Sequence, residues 1–218
     1  MREINLMERY PGGKGRSAER PTITEEDKRI SKQFGRDYFD GDRRHGYGGF
    51  NYNPRFWTDT VRYIRDFYEL PEDAGILDVG CAKGFMLNDF RLLMPKARLA
   101  GVDVSEYAIM NAMEDVKPLL QVGNAKALPF PDKSFDLVLA INTIHNLKYE
   151  DCKQSLREIQ RVSARHSFVM VDAYKTEEQR EAMLNWVLTA ETMLHVDDWL
   201  QLFREAGYKG DYYWWTVQ

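Results

Sequence analysis

Cysteine is scarce in this chain: two residues, Cys81 and Cys152, in 218. That excludes a disulfide framework and a zinc site built from four cysteines. Cys81 reads as a small buried packing residue and Cys152 as an ordinary helix residue. No apolar run approaches the ~18 residues of a membrane-spanning helix. Met1 to Arg20 is charged where a signal peptide would be apolar. An excess of positive charge is missing too, since 30 Lys and Arg stand against 34 Asp and Glu, a net charge of −4. Gripping a phosphate backbone requires clustered positive charge, so no nucleic-acid partner is expected. What is present is 44 % apolar and 13 % aromatic residues, enough for one sizeable core. The expectation is a soluble, cytoplasmic protein, monomeric or homodimeric, with no membrane contact and no bound metal.

Residues 1–23 carry Pro11-Gly12-Gly13, Gly15 and Pro21 among charges, which reads as a mobile or peripherally docked arm. Thr24 and Asp27 resemble a capping box, and Ile30 and Phe34 continue at helical spacing, predicting a helix over about Glu25–Phe39. The stretch from Gly41 to Phe50 has four glycines and cannot be a stable helix or a central strand. Asn53-Pro54 then opens a helix, with Asn as N-cap and Pro in the first turn, whose stripe of Phe56, Trp57, Thr60, Ile64 and Phe67 runs to Leu70. Two regions follow: an arm, helix and glycine-rich loop over 1–53, and a core over 54–218.

From Gly75 onward strand and helix alternate. Strands are predicted at Ile76–Val79, Arg98–Val102, Leu119–Val122, Phe135–Ile141 and Ser167–Val171, and helices at Phe85–Met94, after Ser105 and around Asp151–Val162. Phe135–Ile141 is almost wholly apolar, as expected only where both faces of a sheet are covered. The fold class is α/β: a Rossmann-like, doubly wound, mostly parallel sheet of six to seven strands, with helices on both faces and an N-terminal helical lid. The tail adds helices at Thr176–Leu188 and Val196–Ala206, closing at Gly207, and an aromatic strand over Tyr208–Val217 with no obvious antiparallel neighbour after it.

Ligands of such sheets bind beyond the carboxyl ends of the strands. After the first strand come Asp78, Gly80, Ala82 and Gly84, small residues that let the backbone turn and approach a ligand ahead of a helix N-terminus. After the second stands Asp103, suited to a ribose diol, followed by Val104. After the third come Asn124 and Ala125, an amide and a backbone N–H able to read an adenine edge. After the fourth come Asn142, His145 and Asn146, and after the fifth Asp172 and Tyr174.

Over about residues 70–172 the chain resembles the class I S-adenosylmethionine-dependent methyltransferases, in their small-molecule, UbiE-like branch. The resemblance rests on Ile76–Gly84, on Gly101-Val-Asp103-Val-Ser, and on Val122-Gly-Asn124-Ala-Lys-Ala-Leu-Pro-Phe-Pro-Asp-Lys-Ser-Phe-Asp136-Leu-Val. It implies that S-adenosylmethionine is the cofactor and S-adenosylhomocysteine the product. It also implies that Gly80–Gly84 faces the methionine part, that Asp103 holds the ribose and that Asn124 with Ala125 flanks the adenine. Two departures stand out: Ala82 replaces a glycine, and Asn124 replaces a commoner Asp. A nicotinamide dinucleotide is the competing cofactor, because Gly80 and Asp103 keep about the 20-residue spacing of its fingerprint. Phe85 in place of the third glycine and the carboxylate of Asp78 both oppose a pyrophosphate, whereas Asp78 suits an ammonium and a sulfonium.

Methyl transfer to a hydroxyl or ammonium needs alignment and the removal of one proton. His145 is the first candidate for the base, since its unperturbed pKa is near ~6.5; otherwise it caps or packs. Asn142 would contact the cofactor and Asn146 the substrate, unless they are helix caps. Asp172 and Tyr174 either touch substrate or cap the next helix. Tyr47, Tyr52 and Arg55 sit on a glycine-hinged segment that suits a lid over a polar or anionic substrate. His195 and the pair Trp214-Trp215 are read as structural. The expected acceptor is a small polar metabolite of sugar, amino-acid or natural-product type. RNA or protein methylation and a non-catalytic cofactor-binding subunit are the alternatives.

Overall fold

The computed structural model describes residues 1–11, 22–46 and 51–216. The capping box is present: Asp27 N donates to Thr24 Oγ1 at 3.1 Å and Thr24 N to Asp27 Oδ2 at 2.9 Å. The expected helix over Glu25–Phe39 is, however, two helices, α1 (Glu25–Ser31) and α2 (Arg36–Asp40). They break where Phe34 takes a left-handed φ of 48° ahead of Gly35. A helix α3 (Pro54–Phe67) follows, its Asn53 cap accepting from Arg55 N.

The core strands are β1 (Gly75–Val79), β2 (Arg98–Asp103), β3 (Leu120–Val122), β4 (Phe135–Ile141), β5 (Ser163–Tyr174), β6 (Leu194–His195) and β7 (Asp211–Trp215). The helices between them are α4 (Phe85–Leu93), α5 (Glu106–Met110), α6 (Tyr149–Val162), α7 (Glu177–Leu184) and α8 (Val196–Ala206). The sheet runs β3-β2-β1-β4-β5, with β7 and the two-residue β6 also paired to β5. All of these strand pairs are parallel. The last strand therefore needs no antiparallel neighbour, and it is shorter than the aromatic run that predicted it. β5, by contrast, extends beyond its predicted Ser167–Val171 at both ends.

Alternation along the strands divides the core into two layers. Leu77, Val79, Val138 and Val169 pack with Leu156 and Ile159 of α6 and Trp199 and Phe203 of α8. Ile76, Leu137, Leu139 and Phe168 face the other way, onto Val61 and Ile64 of α3 and Phe90 of α4. Both faces are covered, which is why β4 reads as an unbroken apolar run. The motif Leu128–Asp136 ties the start of β1 to α6. Asp136 Oδ2 accepts from Gly75 N at 2.8 Å, fixing the start of β1, while Arg161 donates to the carbonyls of Phe130 and Leu128 at 2.8 and 3.0 Å.

The arm is docked at its beginning. Glu3 bridges Tyr212 in parallel fashion, and Leu6 is fully buried. No helix among the described residues is long and apolar enough to cross a membrane. The densest aromatic packing lies under α8, where the Phe203 ring stacks on Trp214 at 5.8 Å and meets Tyr208 at 5.4 Å. Phe203→Ala should cost about 3–5 kcal/mol, as cavity-forming core substitutions of phenylalanine do. Urea unfolding measures it, and a loss under about 1 kcal/mol would contradict this packing.

Candidate functional site

A parallel sheet brings all its carboxyl ends to one rim, and there the strand-end loops surround a cavity of about 810 Å³. After β1 the chain turns through Gly80, at φ 85°, whose N–H donates to Val102 O at 2.7 Å. A Cβ on Gly80 would lie 2.1 Å from Thr143 Oγ1, so only glycine fits this approach. Ala82 is left-handed as well, at φ 48°, and its N–H donates to Asp103 Oδ2 at 2.8 Å. Asp103 Oδ1 accepts from Ser105 N at 2.8 Å. Burial nonetheless raises the pKa of this carboxyl, the backbone donors opposing it. Asp78 is buried below the turn, beside a smaller space of about 200 Å³ that Gly80 and Ala82 also line. Burial first, and the neighbouring Asp103 carboxylate second, push Asp78 up to about 8.

At the other end, Asn142 follows β4 in a left-handed conformation, φ 52°, and a short 3-10 turn, Ile144–Asn146, carries His145 into the interior. The imidazole and Asp172 are both about 5 % exposed. Asp172 N donates to His145 Nδ1 at 2.9 Å, and His145 Nε2 stands 3.6 Å from Asp172 Oδ2. Burial pushes the His145 pKa down and the Asp172 pKa up, while each charge pulls the other back. Asn146 Oδ1 is buried without a hydrogen-bond partner, on a residue that lines the cavity. An orphaned acceptor of this kind is a place for a ligand donor.

Of the residues singled out in the sequence, Gly80, Ala82, Asp103, Val104, Asn124, Ala125, Asn142, His145, Asn146 and Asp172 line this one cavity. Others do not. Gly84 caps α4 at φ 77°, and an added Cβ there would meet Val116 and Leu120, so its place is set by packing. Tyr52 lies edge-on to Phe85 and beside Asp89, away from the rim. Arg55 is exposed, its guanidinium 4.7 Å from the Phe56 ring centroid. Tyr174 packs edge-on against His195. Tyr47 lies outside the described residues. Asn124 is placed as expected, but its side-chain oxygen already accepts from Lys126 N at 3.0 Å.

Sequence reasoning missed much of the cavity wall. Asn5, Met7 and Tyr10 come from the arm, Phe34, Tyr38 and Phe39 from the α1–α2 segment, Phe56 and Trp57 from α3, and Trp186, Tyr213 and Trp215 from the tail. Phe56 and Trp57 had registered only as a helical stripe. Trp214, buried at 5 %, and Trp215, which packs on Trp186, both line the cavity, so the pair read as structural also belongs to its wall.

Residues 77–171 match the family described as Methyltransferase domain. Over this stretch the chain is similar to methyltransferase domains. A malonyl-[acyl-carrier protein] O-methyltransferase of Legionella pneumophila is 29 % identical over 132 residues, covering 58 % of this chain and 45 % of that one. A demethylmenaquinone methyltransferase of Listeria welshimeri is 30 % identical over 152 residues, covering 65 % of this chain and 60 % of that one. This chain thus spans about half the length of these curated relatives. The YcgJ protein of Bacillus subtilis has the same fold in a crystal structure, with a TM-score of 0.55, 20 % identity and coverage of 67 % and 66 %.

The fold holds Asp78 at a cost to its own stability. A carboxyl whose folded pKa is raised stabilises the fold fully below its unfolded pKa near ~4 and loses that contribution as pH rises through the folded value. Asp78→Asn should therefore melt several degrees above the parent chain at pH 8 and lose the advantage at pH 4. Thermal unfolding across that range tests it; a parent chain equally stable or more stable at pH 8 would contradict the buried placement.

Proposed function

We propose that the chain moves the methyl group of S-adenosylmethionine to a small acceptor and leaves S-adenosylhomocysteine. The observation that carries this is the alignment of Asp103, Asn124, Asn142 and the His145–Asp172 pair around one cavity. The residues fit the cofactor chemically. Asp103 spends only part of its acceptor capacity on Ala82 and Ser105 and keeps the rest for ribose hydroxyls. Val104, Asn124 and Ala125 flank the adenine, and Gly80 with Ala82 gives the methionine part room against the backbone. Asp78 regains its charge beside an ammonium, which relieves the penalty of its burial. The α1–α2 segment acts as a lid: Asp40 accepts from Lys83 and from Tyr107, and Lys32 pairs with Glu191 at 2.5 Å.

The cofactor supplies a methyl carbon made electrophilic by its sulfonium. The protein's part is to align the nucleophile and take its proton. His145 is not well disposed to be the base. Its Nδ1 lone pair is filled by the Asp172 N–H, so the neutral ring carries its proton on Nε2. We assign proton acceptance to the Asp172 carboxylate instead, with its raised pKa, and give His145 the task of positioning it. Asn146 Oδ1 would accept from the acceptor's own polar group. The expected polar metabolite fits poorly beside Met7, Trp57, Met170 and Trp215, and an acceptor with an apolar body fits better.

Release of S-adenosylhomocysteine in the presence of a panel of phenols and amines tests both assignments. Asp172→Asn should slow turnover about a hundredfold, within the usual range for a lost general base, and remove the acidic limb of the pH profile. His145→Phe should cost less, about tenfold, and move that limb to higher pH, because the ring no longer favours the charged carboxylate. Cofactor binding without turnover on any acceptor, or turnover indifferent to Asp172→Asn, would contradict the proposal.

A further inference from the structure

We infer that residues Arg2–Tyr10 form a strap that completes the acceptor end of the cavity and makes it select a planar, ring-bearing acceptor with no negative charge. The inference rests on the reading of this cavity as a methyl-transfer site.

The strap is fastened at three places. Arg2 holds the buried Asp211 carboxylate through both oxygens, with Nε at 3.1 Å from Oδ1 and Nη2 at 2.8 Å from Oδ2. Tyr68, the residue that caps α3, adds its hydroxyl to Oδ2 at 3.3 Å. A bidentate guanidinium–carboxylate pair fixes direction as well as distance. The backbone then joins the sheet: Tyr212 N donates to Arg2 O at 3.0 Å, and Ile4 N to Tyr212 O at 2.9 Å. Leu6, fully buried, packs in the layer of Val61, Ile64 and Tyr68. These contacts leave the chain no free course after Leu6. It turns, with Met7 N donating to Asn5 Oδ1 at 3.1 Å and Tyr10 N to Met7 O at 3.0 Å. The turn delivers Asn5, Met7 and Tyr10 to the cavity.

Tyr10 is the centre of the wall it completes. Its ring lies 5.4 Å from Phe56 and 5.0 Å, edge-on, from Trp57. Trp186 and Trp215, 4.6 Å apart, line the same cavity. Flat rings at such spacings receive another flat ring by offset stacking or edge contact. The charges explain why that ring carries no negative charge. Lys32, the cation among the described lining residues, is paired with Glu191. Asp103 is held by backbone donors, and Asp172 faces His145. Lys32 is thus neutralised within the protein, so an anionic acceptor would enter without a counter-charge and against the Asp103 and Asp172 carboxylates.

Calorimetric titration of the full chain with 2-naphthol, glucose and tetramethylammonium, with and without S-adenosylhomocysteine, tests the strap. The expected result is saturable binding of 2-naphthol and none of the other two. Tyr10→Ala should weaken that binding about tenfold, and Arg2→Ala, at an exposed and replaceable side chain, about threefold. Both should leave the affinity for S-adenosylhomocysteine within about twofold. No binding of 2-naphthol, preference for tetramethylammonium or glucose, or naphthol binding that ignores both substitutions would overturn the inference. Failure of S-adenosylhomocysteine to bind would overturn the proposed function, while the cofactor-free naphthol titration would still decide the strap.

Discussion

Asp103 accepts the Ala82 N–H through one carboxylate oxygen and the Ser105 N–H through the other, and so ties the loop after β1 to the loop after β2. Much of the site depends on that tie. It holds Ala82 in a left-handed conformation that an L-residue enters only at some cost. It places the start of α5, where Ser105 Oγ also reaches Phe34 O at 2.5 Å and draws the α1–α2 segment over the cavity. The same carboxylate helps to raise the pKa of Asp78. One side chain therefore joins the sheet rim, the glycine-rich turn and the covering helices, and its remaining lone pairs face a cavity wide enough for a cofactor and an acceptor together.

The fold was legible because its signals are local. Apolar runs separated by capping residues and glycine turns place every strand but the two-residue β6 within a few residues, and coverage of both faces follows from the composition of β4. Gly80, Asp103 and Asn142 were legible for the same reason, since a parallel sheet converts position at a strand's end into position around a cavity. The break at Phe34–Gly35 was not, because Ile30 and Phe34 keep helical spacing up to the residue that leaves the helix. The strap was invisible: Arg2 and Asp211 are 209 residues apart, and a single ladder contact carries no periodicity. The place of Trp214 and Trp215 in the cavity wall was not legible either, because aromatic residues on a strand read first as packing.

His145 shows where residue type misleads. A histidine after the fourth strand has the pKa and position of a base, but which nitrogen is available depends on what the other one binds, and that partner is a backbone N–H of β5. The site also carries backbone strain and a buried carboxyl. Ala82 and Asn142 are both left-handed, and Asp78 is buried with a raised pKa. Such costs collect where a ligand is to be met.

The most direct test is equilibrium titration of the chain with S-adenosylhomocysteine and, in parallel, with NAD, repeated on Asp103→Asn. The account predicts micromolar binding of S-adenosylhomocysteine alone, weakened about tenfold to a hundredfold by a substitution that removes a charged hydrogen-bond acceptor. Binding of NAD in its place, or S-adenosylhomocysteine affinity unmoved in a folded Asp103→Asn chain, would contradict it.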